Sequence, residues 1–96
     1  MKSTNTYSLR EAFDAFLKSH DYKNKVNEKR IADSWKKLMG KPIVSHTREI
    51  YLIRNVLFVG ITSPALREEM LFSKSKIIEM LNNDLKTTIV NDIVFK

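Results

Sequence analysis

Lys18, Lys23, Lys25, Lys29, Arg30, Lys36, Lys37 and Lys41 crowd into residues 18–41, where Asp21, Glu28 and Asp33 oppose them. Eight basic against three acidic side chains leave +5 in that quarter of the chain, out of +6 for all 96 residues. The chemistry open to such a run is electrostatic. It concentrates polyanions near the surface and steers them inward, so nucleic acid or an acidic protein face is the matching partner class. A lysine-rich solvated helix face has the same composition, and charge alone leaves the two readings level.

Other reactive patterns are missing. A phosphate-cradling loop needs glycines that let backbone donors approach the ligand, and the chain has only Gly40 and Gly60. His20 and His46 lie 26 positions apart with no paired-histidine spacing, and there is no cysteine, so no metal site is expected. His46, beside Thr47 at a strand entry, reads as a partner for a local backbone group rather than a base. Glu68, Glu69 and Glu79 alternate with Arg67, Lys76 and Lys86 in the manner of a solvated helix face. The expectation is a binding protein with no catalytic constellation, no cofactor and no small-molecule substrate.

A chain of 96 residues has room for one domain with a modest core, because so short a chain buries only about two-thirds of its unfolded surface. Residues 1–7 read as a flexible N-terminus and residues 8–96 as the single domain. The N-terminus lacks a signal-peptide apolar run, and no stretch approaches the roughly 20 apolar residues of a membrane span. A cytoplasmic protein without membrane contact is expected, which suits the absence of cysteine.

The basic run must be positioned by helices. Ser8 and Glu11 have capping-box spacing, and Leu9, Ala12, Phe13, Phe16 and Leu17 follow at helical intervals, predicting a first helix over 9–19. Residues 20–24 read as a turn. Val26, Ile31, Trp35, Leu38 and Met39 then share one side of a second helix that stops at Gly40. Pro42 bars its continuation, and the period changes toward that of a strand.

In residues 49–62, Leu57, Val59 and Ile61 share one face while Val56, Phe58 and Gly60 take the other, and Ile50 and Leu52 oppose Tyr51 and Ile53 on the preceding strand. Arg54 and Asn55 mark the hairpin. Asn accepts a left-handed conformation cheaply and Arg does not, so a two-residue and a three-residue bulged turn both remain open.

Ser63 and Pro64 open a helix to about residue 84, with Leu66, Met70, Ile77, Met80 and Leu81 on one stripe, widened by Leu71, Ile78 and Leu85. Arg67 and Lys74 fall within that stripe and must snorkel or sit at its edge. Residues 87–95, rich in β-branched types, form a third strand in which Ile89, Ile93 and Phe95 alternate with Val90, Asp92 and Val94. The order is ααββαβ in an α+β fold. A crossover helix puts the second and third strands in one three-stranded sheet, with helices packed on one face.

Ile31 and Trp35 followed by Gly40, Ile43, His46 and Thr47, the Leu57, Val59, Ile61 strand, Ser63 with Leu66, Glu69 and Met70, and then Leu81 and Asn82 together resemble the DciA family, over about residues 31–95. These bacterial proteins support loading of the replicative helicase. The resemblance implies a K-homology-like fold, with which the ααββαβ order is compatible, contact with a DnaB-type replicative helicase, and DNA binding, single-stranded or duplex. The GxxG loop of true K-homology domains has no counterpart here.

Lys25, Lys29, Arg30, Lys36, Lys37 and Lys41 are the candidate phosphate contacts, with Arg48 and Arg54 added if the sheet edge lies nearby. Trp35, flanked by lysines, has base-stacking chemistry, but its spacing from Ile31 and Leu38 assigns it to the core. Tyr51, Ile53 and Phe58 lie opposite the main core residues, on a face that is either open or covered by the first helix. Tyr51, Phe58 and Phe72, the last off the apolar stripe of its helix, are the candidate partner contacts. The functional expectation is a non-catalytic replication-initiation adaptor. A purely protein-binding adaptor and a ribosome-associated RNA-binding domain are the alternatives.

Overall fold

The computed structural model describes residues 6–96. Helix α1 spans Thr6–Lys18, α2 His20–Met39 and α3 Lys41–Ser45, followed by strands β1 Thr47–Ile53 and β2 Val56–Ile61, helices α4 Pro64–Phe72 and α5 Lys74–Leu85, and strand β3 Asp92–Phe95. The sheet order is β1-β2-β3, with β1 antiparallel and β3 parallel to β2. The α+β class and the ααββαβ order hold once α3 is taken as an appendage of α2 and α4 and α5 as one interrupted crossover. The expected flexible segment falls largely on residues 1–5, outside the described residues; Thr6 and Tyr7 belong to α1.

Several boundaries differ from the sequence reading, each for a local reason. Because α1 begins at Thr6, Ser8 lies inside its first turn rather than at its cap. Residues 20–24 are the first turn of α2, not a connection, because the Ser19 side chain accepts from the Tyr22 N–H at 3.2 Å and starts the helix there. Gly40, at φ 82°, ends α2 as expected. Pro42 then opens the short α3 instead of leading into sheet, since its fixed φ and missing N–H suit a first helical turn.

The long helix is broken at Ser73, whose N–H turns back to the Met70 carbonyl at 3.1 Å. Leu71, at the end of α4, lies off the expected stripe and is exposed. Arg67 and Lys74 sit at the edge of the stripe, Arg67 donating to the Ile61 carbonyl and Lys74 pairing with Asp92 at 3.0 Å. The third strand is shorter than its composition implies. Ile89 and Val90 are both buried in the loop before it. The Asn82 side chain accepts from both of their N–H groups, at 3.2 and 3.0 Å, and donates to the Val90 carbonyl at 2.9 Å. One amide thus replaces a strand partner, and alternation gives way to double burial.

The hairpin is settled as a two-residue turn. Ile53 faces Val56, and Arg54 and Asn55 have φ 49° and 69°, the signature of a type I′ turn whose twist suits the flanking strands. Asn55 is held in place by donating to the Ile89 carbonyl at 2.8 Å.

The core gathers Ile31 and Trp35 from α2, Leu52, Leu57, Val59, Ile61 and Ile93 from the sheet, and Met70, Ile77, Leu81 and Leu85 from α4 and α5. The helices therefore pack on one sheet face. Val26 is the exception among the expected inward residues of α2, being exposed beyond the reach of the core.

Candidate nucleic-acid interface

At 100° per residue, Lys25, Lys29 and Lys36 fall within about 40° of one another on α2, on the side nearer β1. Arg30 and Lys37 lie on the other side of the helix, and Ile31 and Trp35 face the sheet between them. The orientation is fixed by α2's grip on β1. Asn24 donates to the Leu52 carbonyl at 2.7 Å, and the Leu52 N–H donates to Glu28 at 3.0 Å. Near the other end of α2, the Trp35 indole donates to Thr47 Oγ1 at 3.0 Å, and that hydroxyl donates on to the Ile43 carbonyl. Trp35, only 1% exposed, is a core residue and presents no face to a base.

On the β1 side the cations stay at the surface. Lys25 pairs loosely with Glu28 at 3.9 Å and Lys29 with Asp33 at 3.1 Å. Both pairs lie within one helix; the Lys29–Asp33 pair is exposed on both sides and contributes little, while Glu28 is half-buried and also accepts from Leu52. Among the described residues no carboxylate pairs with Lys36 or Lys41. Lys36 and Arg48 flank a recess of about 230 Å³ walled by Trp35, Val44 and Thr47. A Cβ at Gly60 would come within 3.1 Å of the Arg48 guanidinium, so the absence of a side chain there lets Arg48 lie across the strand toward Glu49, 3.5 Å away.

On the α5 side the cations are engaged. Arg30 donates to the Leu85 carbonyl at 3.0 Å, capping the C-terminal end of α5. Lys37 pairs with Asp84 at 2.7 Å, and the buried Ser34 donates to the same carboxylate at 2.6 Å. The hydrogen bond from Lys37, seconded by that from Ser34, holds the Asp84 carboxyl below its ordinary value. The eight expected phosphate contacts thus separate into groups. Lys25, Lys29, Lys36 and Arg48 lie along one edge, Arg30 and Lys37 tie α2 to α5, Lys41 starts α3, and Arg54 sits at the hairpin tip.

The candidate partner residues also separate. Tyr51 and Phe58 are cross-strand neighbours on the sheet face away from the helices, stacked 5.0 Å apart at 6°. Lys96 donates to the Tyr51 hydroxyl at 3.0 Å and pairs with Glu49 at 3.3 Å, which holds the Glu49 carboxyl below its ordinary range. Among the described residues, the first helix packs on α2 rather than on this face. Phe72 is 88% exposed and projects from the helical layer, on the other side of the molecule.

The sequence reading missed Asn24, Glu28, Ser34 and Asp84, the polar residues that orient α2. Only Ser34 carried a signal, being a small polar residue next to Trp35 on the inward side of the helix. His46 departs from the expected local backbone contact: its Nδ1 lies 3.0 Å from the side-chain hydroxyl of Thr62, on the far side of the hairpin.

An α+β domain with one helix tied to both a strand edge and a neighbouring helix, and with Lys25, Lys29, Lys36 and Arg48 along that edge, is a small basic domain. The family model described as Dna[CI] antecedent, DciA, matches residues 8–95, and the chain belongs to the DciA family, which is associated with replication initiation and helicase loading. It is a loader and adaptor family rather than a catalytic one. No curated protein and no solved structure matches the chain. No described helix is long and apolar enough to cross a membrane.

Proposed function

We propose that this protein is a non-catalytic adaptor of replication initiation in the cytoplasm, which binds a DnaB-type helicase and holds DNA along the edge formed by α2 and β1. The observation that carries the DNA half is the row of Lys25, Lys29 and Lys36 with Arg48 beside it. From Lys25 to Lys36 the helix rises about 16 Å, enough to follow several phosphates of one strand. Such contacts grip the backbone and read no sequence. Arg54 at the hairpin tip and Lys41 at the start of α3 extend the same charge at either end. Phe72, with Tyr51 and Phe58 on the opposite face, supplies the candidate contacts for the helicase, to which ATP hydrolysis belongs. A K-homology-like frame is in keeping with this role.

A binding titration with single-stranded and duplex DNA at several salt concentrations tests the reading. Four phosphate contacts give a slope of about −2.8 to −3.6 in log affinity against log salt. Weak binding independent of salt would remove DNA from the proposal. Unchanged DNA affinity but lost helicase capture in a variant with reversed charges at Lys29 and Lys36 would convert it to a purely protein-binding adaptor. Copurification with ribosomal RNA would favour the RNA-binding alternative.

A further inference from the structure

Helix α1 presents apolar side chains to solvent in a pattern meant for a partner. Leu9, Phe13, Phe16 and Leu17 are 61, 60, 46 and 37% exposed, and their spacing of i, i+4, i+7 and i+8 is that of an amphipathic helix that lies in a groove. The chain also carries such a groove. A recess of about 330 Å³ between the end of α2, α3, α4 and α5 is lined by Leu38, Met39, Ile43, Met70, Ile77 and Met80. Apart from Met1, every methionine of the sequence lines it. Flexible, polarizable methionines let a groove mould itself to an incoming apolar helix.

These two features do not meet within one chain. The groove lies at the C-terminal end of α2, a helix of 20 residues and so about 30 Å long. Helix α1 joins α2 at the opposite end through Ser19, and its 13 residues reach only about 20 Å. Even folded back along α2, it falls short of the groove. The Cα radius of gyration of 17.1 Å, against about 12.5 Å for a compact chain of this length, reflects that separation.

We infer that the methionine-lined groove receives helix α1 of a second copy of this chain, and that two chains laid antiparallel along α2 exchange their first helices in a closed twofold dimer. The charges fit. Arg10 borders the apolar face of α1, while Glu69 lines the groove, so the seated helix sets Arg10 against Glu69. Arg10 and Lys18 balance Glu11 and Asp14 within α1, so it approaches a basic partner without net repulsion. Because each contact is made twice, the interface closes and growth stops at two chains. The inference stands independently of DNA binding.

Sedimentation velocity of the full chain at rising concentration tests it, with mass doubling as the expected result. Phe13→Glu removes the donor helix, and Met80→Glu, at a position outside the core, fills the acceptor groove with charge. Each variant alone is expected to lose self-association by tenfold or more. Mixed in equal amounts they regain a heterodimer, since one intact helix then meets one intact groove. A second pair guards against loss of fold: Glu69→Arg weakens the dimer and Arg10→Glu in the same chain restores it. A wild-type chain monomeric at all concentrations, a dimer that survives Met80→Glu, or a mixture that stays monomeric would each overturn the inference.

Discussion

The two basic flanks of α2 are built from the same residue types and come to opposite ends. On the α5 flank, Arg30 and Lys37 meet a helix-end carbonyl and a carboxylate already held by a buried serine. Both side chains are held in joining two helices. On the β1 flank, Lys29 meets an exposed carboxylate of its own helix, Lys25 lies 3.9 Å from the half-buried Glu28, and among the described residues Lys36 meets none, so no neighbouring element holds them. A lysine's role is therefore set by the element opposite it, which a one-dimensional charge count does not register.

The largest effect belongs to the stripe between the flanks: Trp35→Ala is expected to destabilise the fold by about 3–5 kcal/mol, read in a denaturant melt, because it empties a fully buried site. Next comes the contrast itself. Lys29→Glu combined with Lys36→Glu should weaken DNA binding at least tenfold with the unfolding free energy moved by no more than about 0.5 kcal/mol, whereas Arg30→Ala should lower stability by about 1 kcal/mol, by loss of its hydrogen bond, and change DNA affinity less. Equal loss of DNA binding in both variants would erase the distinction.

A smaller effect is tied to pH. The Asp84 carboxyl is held below its ordinary value of 3.8 by Lys37 and then Ser34, so the stability it contributes is complete above that value and disappears as pH falls through the lower folded one. The melting temperature of Asp84→Asn should lie below that of the wild type at neutral pH, and the gap should close on acidification below about pH 4. A gap independent of pH would show that packing, not charge, joins α2 to α5. Smallest is Arg54→Gly, which relieves a left-handed φ of 49° and should stabilise the hairpin by up to about 1 kcal/mol. If the hairpin tip touches DNA, the same change lowers the salt slope by about one contact.

Much of the frame was legible because it rests on periodicity. Leu57, Val59 and Ile61 against Val56 and Phe58 announced both faces of β2, and Ile31 with Trp35 announced the inward side of α2. What escaped was decided by single polar contacts over long sequence distances. Nothing near Asn82 in sequence says that its amide will hold residues 89 and 90 and shorten a strand, and nothing near Ser73 says that its N–H will turn back and divide a helix. The candidate site was half legible for the same reason: most of its cations are a property of α2 alone, but which of them another helix holds depends on Asp84 and on the carbonyl of Leu85.

The bond pair at Leu52 has a further consequence. Strand β1 is a sheet edge, and Leu52, one residue from the pair that closes the hairpin, turns its N–H and carbonyl away from β2. An apolar edge with such groups free is a template on which another chain can add a strand and begin to aggregate. Asn24 and Glu28 occupy both groups, so a helix covers the strand's outer rim at Leu52. Loosening α2 would uncover these two groups to another chain.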